Sequence, residues 1–70
     1  MTTATINGYT VDLESDGDCT QCWVGKGRFT ASLGILEAEG VLTDSNTDAT
    51  LEVPQTVIDR IMAFACSKGY

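Results

Sequence analysis

Thr3-Ala4-Thr5-Ile6-Asn7-Gly8-Tyr9-Thr10-Val11-Asp12-Leu13 reads as a β-hairpin. Asn-Gly is the strongest short hairpin signal, because both residues tolerate the positive φ of a type I′ turn. In the arm after the turn, Tyr9, Val11 and Leu13 share one face. Thr10, Asp12 and Glu14 take the other, since side chains alternate along a strand. The polar face continues as acid, with Asp12, Glu14, Asp16 and Asp18 at every second position. On an extended strand such neighbours stand about 7 Å apart. One strand of B-DNA presents a phosphate about every 3.4 Å, so every second phosphate falls on a similar spacing. The ladder can imitate a nucleic-acid backbone, or it can be a solvated acid-rich surface. Ser15-Asp16-Gly17-Asp18 reads as a loop, and the ladder keeps its pitch only while that loop stays extended.

Beyond the ladder, Cys19 to Val24 reads as a third strand, with Cys22 and Val24 alternating against Gln21 and Trp23. Gly25-Lys26-Gly27 reads as a turn. Phe29 to Glu39 carries two patterns. Phe29, Ala31, Leu33 and Ile35 alternate as in a strand, whereas Leu36, Glu37, Ala38 and Glu39 are helix formers. A short helix over 30–39 is favoured, capped by Thr30 and ended by Gly40. Val41 to Thr43 and Ala49 to Val53 are short strands around the polar turn 44–48. Pro54 suits the first position of a helix. Val57, Ile58, Ile61, Phe64 and Ala65 then recur at helical spacing, widened by Met62 and Cys66. Lys68 complements the dipole in the last turn, and Gly69 can cap it. The expected fold is α+β: an antiparallel sheet of four to five short strands with the C-terminal helix packed on one face.

Seventy residues make a single domain. A chain this short has little room for a deep, water-excluding active site. Ten acidic residues face four basic ones, Lys26, Arg28, Arg60 and Lys68, for a formal net charge of −6. That balance repels nucleic acid and anionic membrane and attracts basic surfaces, so direct nucleic-acid or membrane binding is not expected. The N-terminal stretch has neither a basic region nor an apolar run of the targeting kind. A cytoplasmic protein is expected. Three cysteines, an odd count, also argue against a secreted disulfide framework.

Catalytic and metal chemistry find few parts. The chain has no histidine, the usual general base for a serine or cysteine nucleophile. Its acids sit in turns and on solvent faces, where nothing separates their pKa values. Cys19-x-x-Cys22 has a zinc-like spacing, but only Cys66 and a carboxylate such as Asp18 remain to complete a tetrahedral set. Buried cysteines acting as small hydrophobes is the commoner outcome. Asp12-x-Glu14-x-Asp16-Gly17 matches the first half of an EF-hand loop, yet its twelfth position is Trp23 and its flanks are strands. No enzyme activity, metal or other cofactor is expected. Trp23 is the aromatic candidate for a contact, because tryptophan is enriched at interface hot spots. A core anchor is the competing role.

The hairpin around Ile6-Asn7-Gly8-Tyr9 and a final helix from Val53-Pro54-Gln55 to Lys68-Gly69-Tyr70, in a tiny acidic chain without histidine, resemble small phage-encoded proteins. Among these the chain most resembles anti-CRISPR proteins of the type I class. The resemblance covers the whole chain in size, charge and layout. It implies a non-enzymatic inhibitor in the host bacterial cytoplasm. Such a protein binds the CRISPR surveillance complex and blocks DNA recognition or nuclease recruitment, in several cases as a DNA mimic. From the charge pattern, the expected contacts with a basic groove are Asp12, Glu14, Asp16, Asp18 and Trp23, joined by Glu37, Glu39, Asp44 and Asp48. Two other readings stay open. One is a phage structural or assembly protein that joins its partner by strand addition. The other is a metal-stabilised module built on the cysteines.

Overall fold

Asn7 and Gly8 both take positive φ, 51° and 86°, and close a two-residue turn that pairs Ile6 with Tyr9. This hairpin begins a sheet that the computed structural model describes over residues 2–70, with only the backbone described at Asp16. Six antiparallel strands lie side by side in chain order: β1 (Thr2–Ile6), β2 (Tyr9–Asp16), β3 (Cys19–Lys26), β4 (Phe29–Ser32), β5 (Val41–Thr43) and β6 (Thr50–Glu52). Helix α1 (Leu33–Glu39) joins β4 to β5, and α2 (Gln55–Ser67) follows β6. The fold is α+β with a C-terminal helix on the sheet, as expected, but it has six strands rather than four to five.

The difference comes from the turns. The expected loop Ser15–Asp18 shrinks to Gly17-Asp18, because Ser15 pairs with Thr20 and Asp16 with Cys19. The expected turn at Gly25-Lys26-Gly27 moves to Gly27-Arg28, with Lys26 still on the ladder opposite Phe29. Gly17 and Gly27 take φ of 64° and 63° there. Two-residue turns of this kind match the natural twist of the flanking strands, so pairing runs to the last residue available.

Both patterns seen in Phe29–Glu39 are real, in succession. The first four residues form β4 and the rest form α1. The cap is Ser32 rather than Thr30, whose backbone is held between Gly25 and Thr43. Ser32 Oγ accepts the Ile35 N–H at 3.4 Å. Gly40 ends α1 at φ 72°, donating its N–H to Leu36 O at 2.7 Å.

Pro54 precedes α2 instead of opening it, and its carbonyl accepts the Val57 and Ile58 N–H groups. At the far end Gly69 donates to Cys66 O and Tyr70 to Ala65 O, the paired bonds of a Schellman motif. Lys68 lies at this cap, past the last helical turn. Val57, Ile58, Ile61 and Ala65 are buried, while Met62 and Phe64 are half-buried at the margin. Cys66 is exposed and does not widen the stripe.

Tyr9, Val11 and Leu13 of β2, Cys22 and Val24 of β3, and Leu42 of β5 meet the helices in one core cluster. Helix α1 packs on β3, β4 and β5, α2 packs on β1, and the helices touch each other. Both therefore cover the same face, and the opposite face of the sheet is open. Among the described residues no helix is long and apolar enough to cross a membrane.

Candidate functional site

The alternation that buries Tyr9, Val11 and Leu13 sends Thr10, Asp12 and Glu14 to the open face. The register carries that parity across the sheet. One row runs Thr3, Asp12, Trp23, Ser32 over β1 to β4. A second runs Thr5, Thr10, Gly25, Thr30, Thr43, Thr50 over all six strands. Glu14 stands opposite Gln21, and Glu52 on β6 opposite Val41. The open face is thus a threonine carpet carrying carboxylates and one large aromatic. Thr3 donates its hydroxyl to Asp12 Oδ1 at 2.9 Å, which fixes the half-buried carboxylate in place.

No lysine or arginine takes a position on this face. Lys26 closes the β3–β4 hairpin with its ammonium 4.8 Å from the Tyr9 ring centroid. Arg28 lies in the following turn, its Nε 3.9 Å from Asp44 Oδ2. Arg60, on α2, donates to Asn7 Oδ1 at 2.8 Å. Lys68 lies 5.9 Å from the Phe64 ring centroid. The cations all belong to the ends of the sheet or to the helix layer, so the open face is negative without internal compensation.

The expected contact residues do not form one surface. Asp12 and Glu14 project from the open face, and Asp16 holds the next position of that parity. The side chain of Asp16 lies outside the described residues. Asp18 is exposed in the turn and leaves the strand period, so the ladder is three strand positions followed by a turn residue. Glu37 and Glu39 are exposed on α1, in the helix layer. Glu39 and Glu52 both line a shallow hollow beside Gly40 and Val53.

Asp44 and Asp48 sit in the β5–β6 turn, at the end of the sheet opposite Asp18. Asp44 is only 2% exposed. Its Oδ1 accepts the Asn46 N–H at 3.0 Å and its Oδ2 the Thr47 hydroxyl at 3.1 Å. Its carbonyl accepts the Asp48 N–H at 2.8 Å, with Asp48 at φ 59°. Asp44 organises the turn and offers nothing to a partner.

Trp23 is 47% exposed on the open face, so the core role does not apply. Cys19 and Cys22 are three residues apart on a strand and point to opposite faces, so they do not converge on a metal. All three thiols are free, with Cys22 buried. Burial first, and then the Asp12 charge, push the Cys22 thiol above its ordinary value of 9.0, which makes it a poor nucleophile. Asp12 and Glu14 stand on an extended strand and do not wrap a cation as an EF-hand loop does.

Sequence reading missed a groove of about 260 Å³ between β3, the start of α1 and Tyr70. Its signal was the unequal length of two neighbouring strands, hidden by the mixed pattern at Phe29–Glu39. No known family, characterised protein or solved structure matches this chain.

Proposed function

We propose that this protein is a non-enzymatic binding protein whose acidic sheet face occupies a basic, nucleic-acid-binding groove of a partner complex. The observation that supports this reading is the uncompensated row of carboxylates, Asp12 and Glu14 with Asp16 next in register, on a face without a cation. Their spacing of about 7 Å follows from strand geometry and resembles that of alternate phosphates. Arginines that grip phosphate bidentately grip carboxylates in the same way. The resemblance to type I anti-CRISPR proteins makes the CRISPR surveillance complex the partner in this proposal. Occupancy of its DNA path blocks target recognition or nuclease recruitment. Trp23 stands between Asp12 and Ser32 in the same row and supplies the apolar anchor that charge alone lacks.

The test is competition between target DNA and this protein for a purified type I surveillance complex. The wild type is compared with a variant carrying Asp12→Asn, Glu14→Gln, Asp16→Asn and Asp18→Asn. The wild type displaces DNA, and its affinity falls as salt rises. The variant keeps its fold and loses inhibition by about tenfold or more. A folded variant that inhibits as well as the wild type refutes the proposal and leaves the acids as a solvated surface.

A further inference from the structure

β3 has eight residues and β4 only four. β4 pairs with β3 from Lys26 down to Trp23, and the chain then turns away into α1. Cys19–Cys22 is therefore paired with β2 on one side and has no strand on the other. Two-residue turns make Asp16 and Cys19, and likewise Lys26 and Phe29, hydrogen-bonded pairs. That alternation turns the N–H and C=O of Thr20 away from β2, toward the vacant side. The groove opens there, with Thr20, Gln21, Trp23, Gly34 and Tyr70 at its walls and the buried Cys22 at its floor. Of the three exposed large apolar residues among the described ones, Trp23 and Tyr70 both line it, and none lies on the outer strands β1 and β6. Tyr70 is held in place by its N–H bond to Ala65 O at 2.9 Å.

We infer that this free half of β3 receives an extended segment of a partner protein by strand addition, and that the segment alternates basic with small apolar side chains. The charge around the groove selects that chemistry. None of the residues lining it is charged, while Asp12 pairs with Trp23, Glu14 with Gln21, and Asp18 lies in the turn that begins β3. A strand added beside Gln21 sends alternate side chains to the open face, where lysine or arginine reaches Glu14 and Asp12. The remaining side chains point toward Cys22 and Gly34. A Cβ built on Gly34 meets nothing within 4 Å, so there is room for a small apolar group. Thr20 supplies the main-chain donor and acceptor. A second copy of this chain is a poor occupant, because it would bring its own Asp18 and Glu14 against these acids at a charge of −6 per chain. The inference shares Asp12 and Glu14 with the acidic-face proposal and adds to them an edge and a groove which that proposal does not use.

The experiment is fluorescence anisotropy with fluorescein-labelled Arg-Val-Arg-Val-Arg. The comparison probes are its analogue with alternate amides N-methylated, and Glu-Val-Glu-Val-Glu. Gly34→Leu fills the groove without touching any acid. Thr20→Pro removes the outward N–H, which β2 does not use, and remains available if Gly34→Leu fails to fold. The basic peptide binds the wild type and the acidic one does not. N-methylation, Gly34→Leu and Thr20→Pro each weaken binding by about tenfold or more while circular dichroism stays native. Equal binding of the N-methylated peptide, unchanged binding by a folded variant, or no binding to the wild type overturns the inference. So does a wild-type dimer in sedimentation that Gly34→Leu dissociates, which assigns the edge to a second copy. The four-acid variant weakens both readings, whereas Gly34→Leu alters the groove alone, so a folded Gly34→Leu that loses the peptide but still displaces DNA from the surveillance complex separates the two.

Discussion

Replacing Asp44 with alanine separates a structural acid from a contact acid. The side chain is 3% exposed and accepts two hydrogen bonds, from the Asn46 N–H and the Thr47 hydroxyl. A bond to a charged group contributes about 1.5–3 kcal/mol when its partner is left buried. Here Asn46 and Thr47 are themselves exposed, so water can replace the lost acceptor. That exposure brings the loss below this range, to about 1 kcal/mol per bond and about 2 kcal/mol together. Arg28 adds little, because its Nε is 3.9 Å away and its side chain is 74% exposed. In a domain of this size about 2 kcal/mol lowers Tm by roughly 8–16 °C. Asp44→Asn keeps one acceptor oxygen and costs about half as much. A thermal melt followed by circular dichroism reads both values. Partner binding by folded Asp44→Asn, measured below its Tm, stays at the wild-type level. An Asp44→Ala variant that melts like the wild type but loses binding would refute the reasoning and return Asp44 to the contact surface.

Two further outcomes follow from single residues. Gly40→Ala meets only Ile58 Cδ1 at 3.9 Å, so its cost is the left-handed backbone at φ 72°. That cost is about 1–2 kcal/mol, read as a lower urea midpoint with an unchanged slope. Cys22 titrates above its ordinary value of 9.0 through burial and the neighbouring Asp12 charge. A folded-state pKa raised above the unfolded one stabilises the fold below that value, and the contribution is lost as pH rises past it. Above about pH 9 the wild type therefore loses stability that Cys22→Val keeps, which urea titrations at pH 7 and pH 10 compare. At pH 8 a thiol reagent labels Cys19 and Cys66 well before Cys22.

Period and turn chemistry made most of the sheet legible. Asn7-Gly8 fixed the first hairpin, and the alternation at Tyr9, Val11 and Leu13 named the buried side correctly. What stayed hidden was the length of pairing. Ser15 and Asp16 have turn-like composition but join the ladder, because Thr20 and Cys19 stand opposite them and Ser15 Oγ lies 3.2 Å from Thr20 Oγ1. The same limit blurred the change from strand to helix at Ser32. Alternation and helix propensity overlap over Leu33–Ile35, and only the tertiary position of β3 shows where pairing stops. The acids were visible as a ladder, yet charge counting cannot distinguish Asp12 on a sheet face from Asp44 inside a turn. An aspartate two residues before a backbone N–H that needs an acceptor is the local signal for the second case.

Stability and charge are bound together on β2. Thr10, Asp12 and Glu14 face outward only because Tyr9, Val11 and Leu13 face the helices. A slip of one residue in the pairing of β2 would bury carboxylates and expose the core residues, so the register that keeps the domain folded also keeps the acids in a row. The Trp23 side chain follows from the same constraint. Cys22 and Val24 are required inside, which leaves Trp23 no place but the open face, beside Asp12. A sheet of six strands in simple chain order needs few long-range contacts to fold, and a domain with such a thin stability margin benefits from that economy. The result is a charged face whose geometry cannot be lost without losing the fold. This is why the four-acid variant, which alters charge and leaves the inward residues alone, isolates the role of the face.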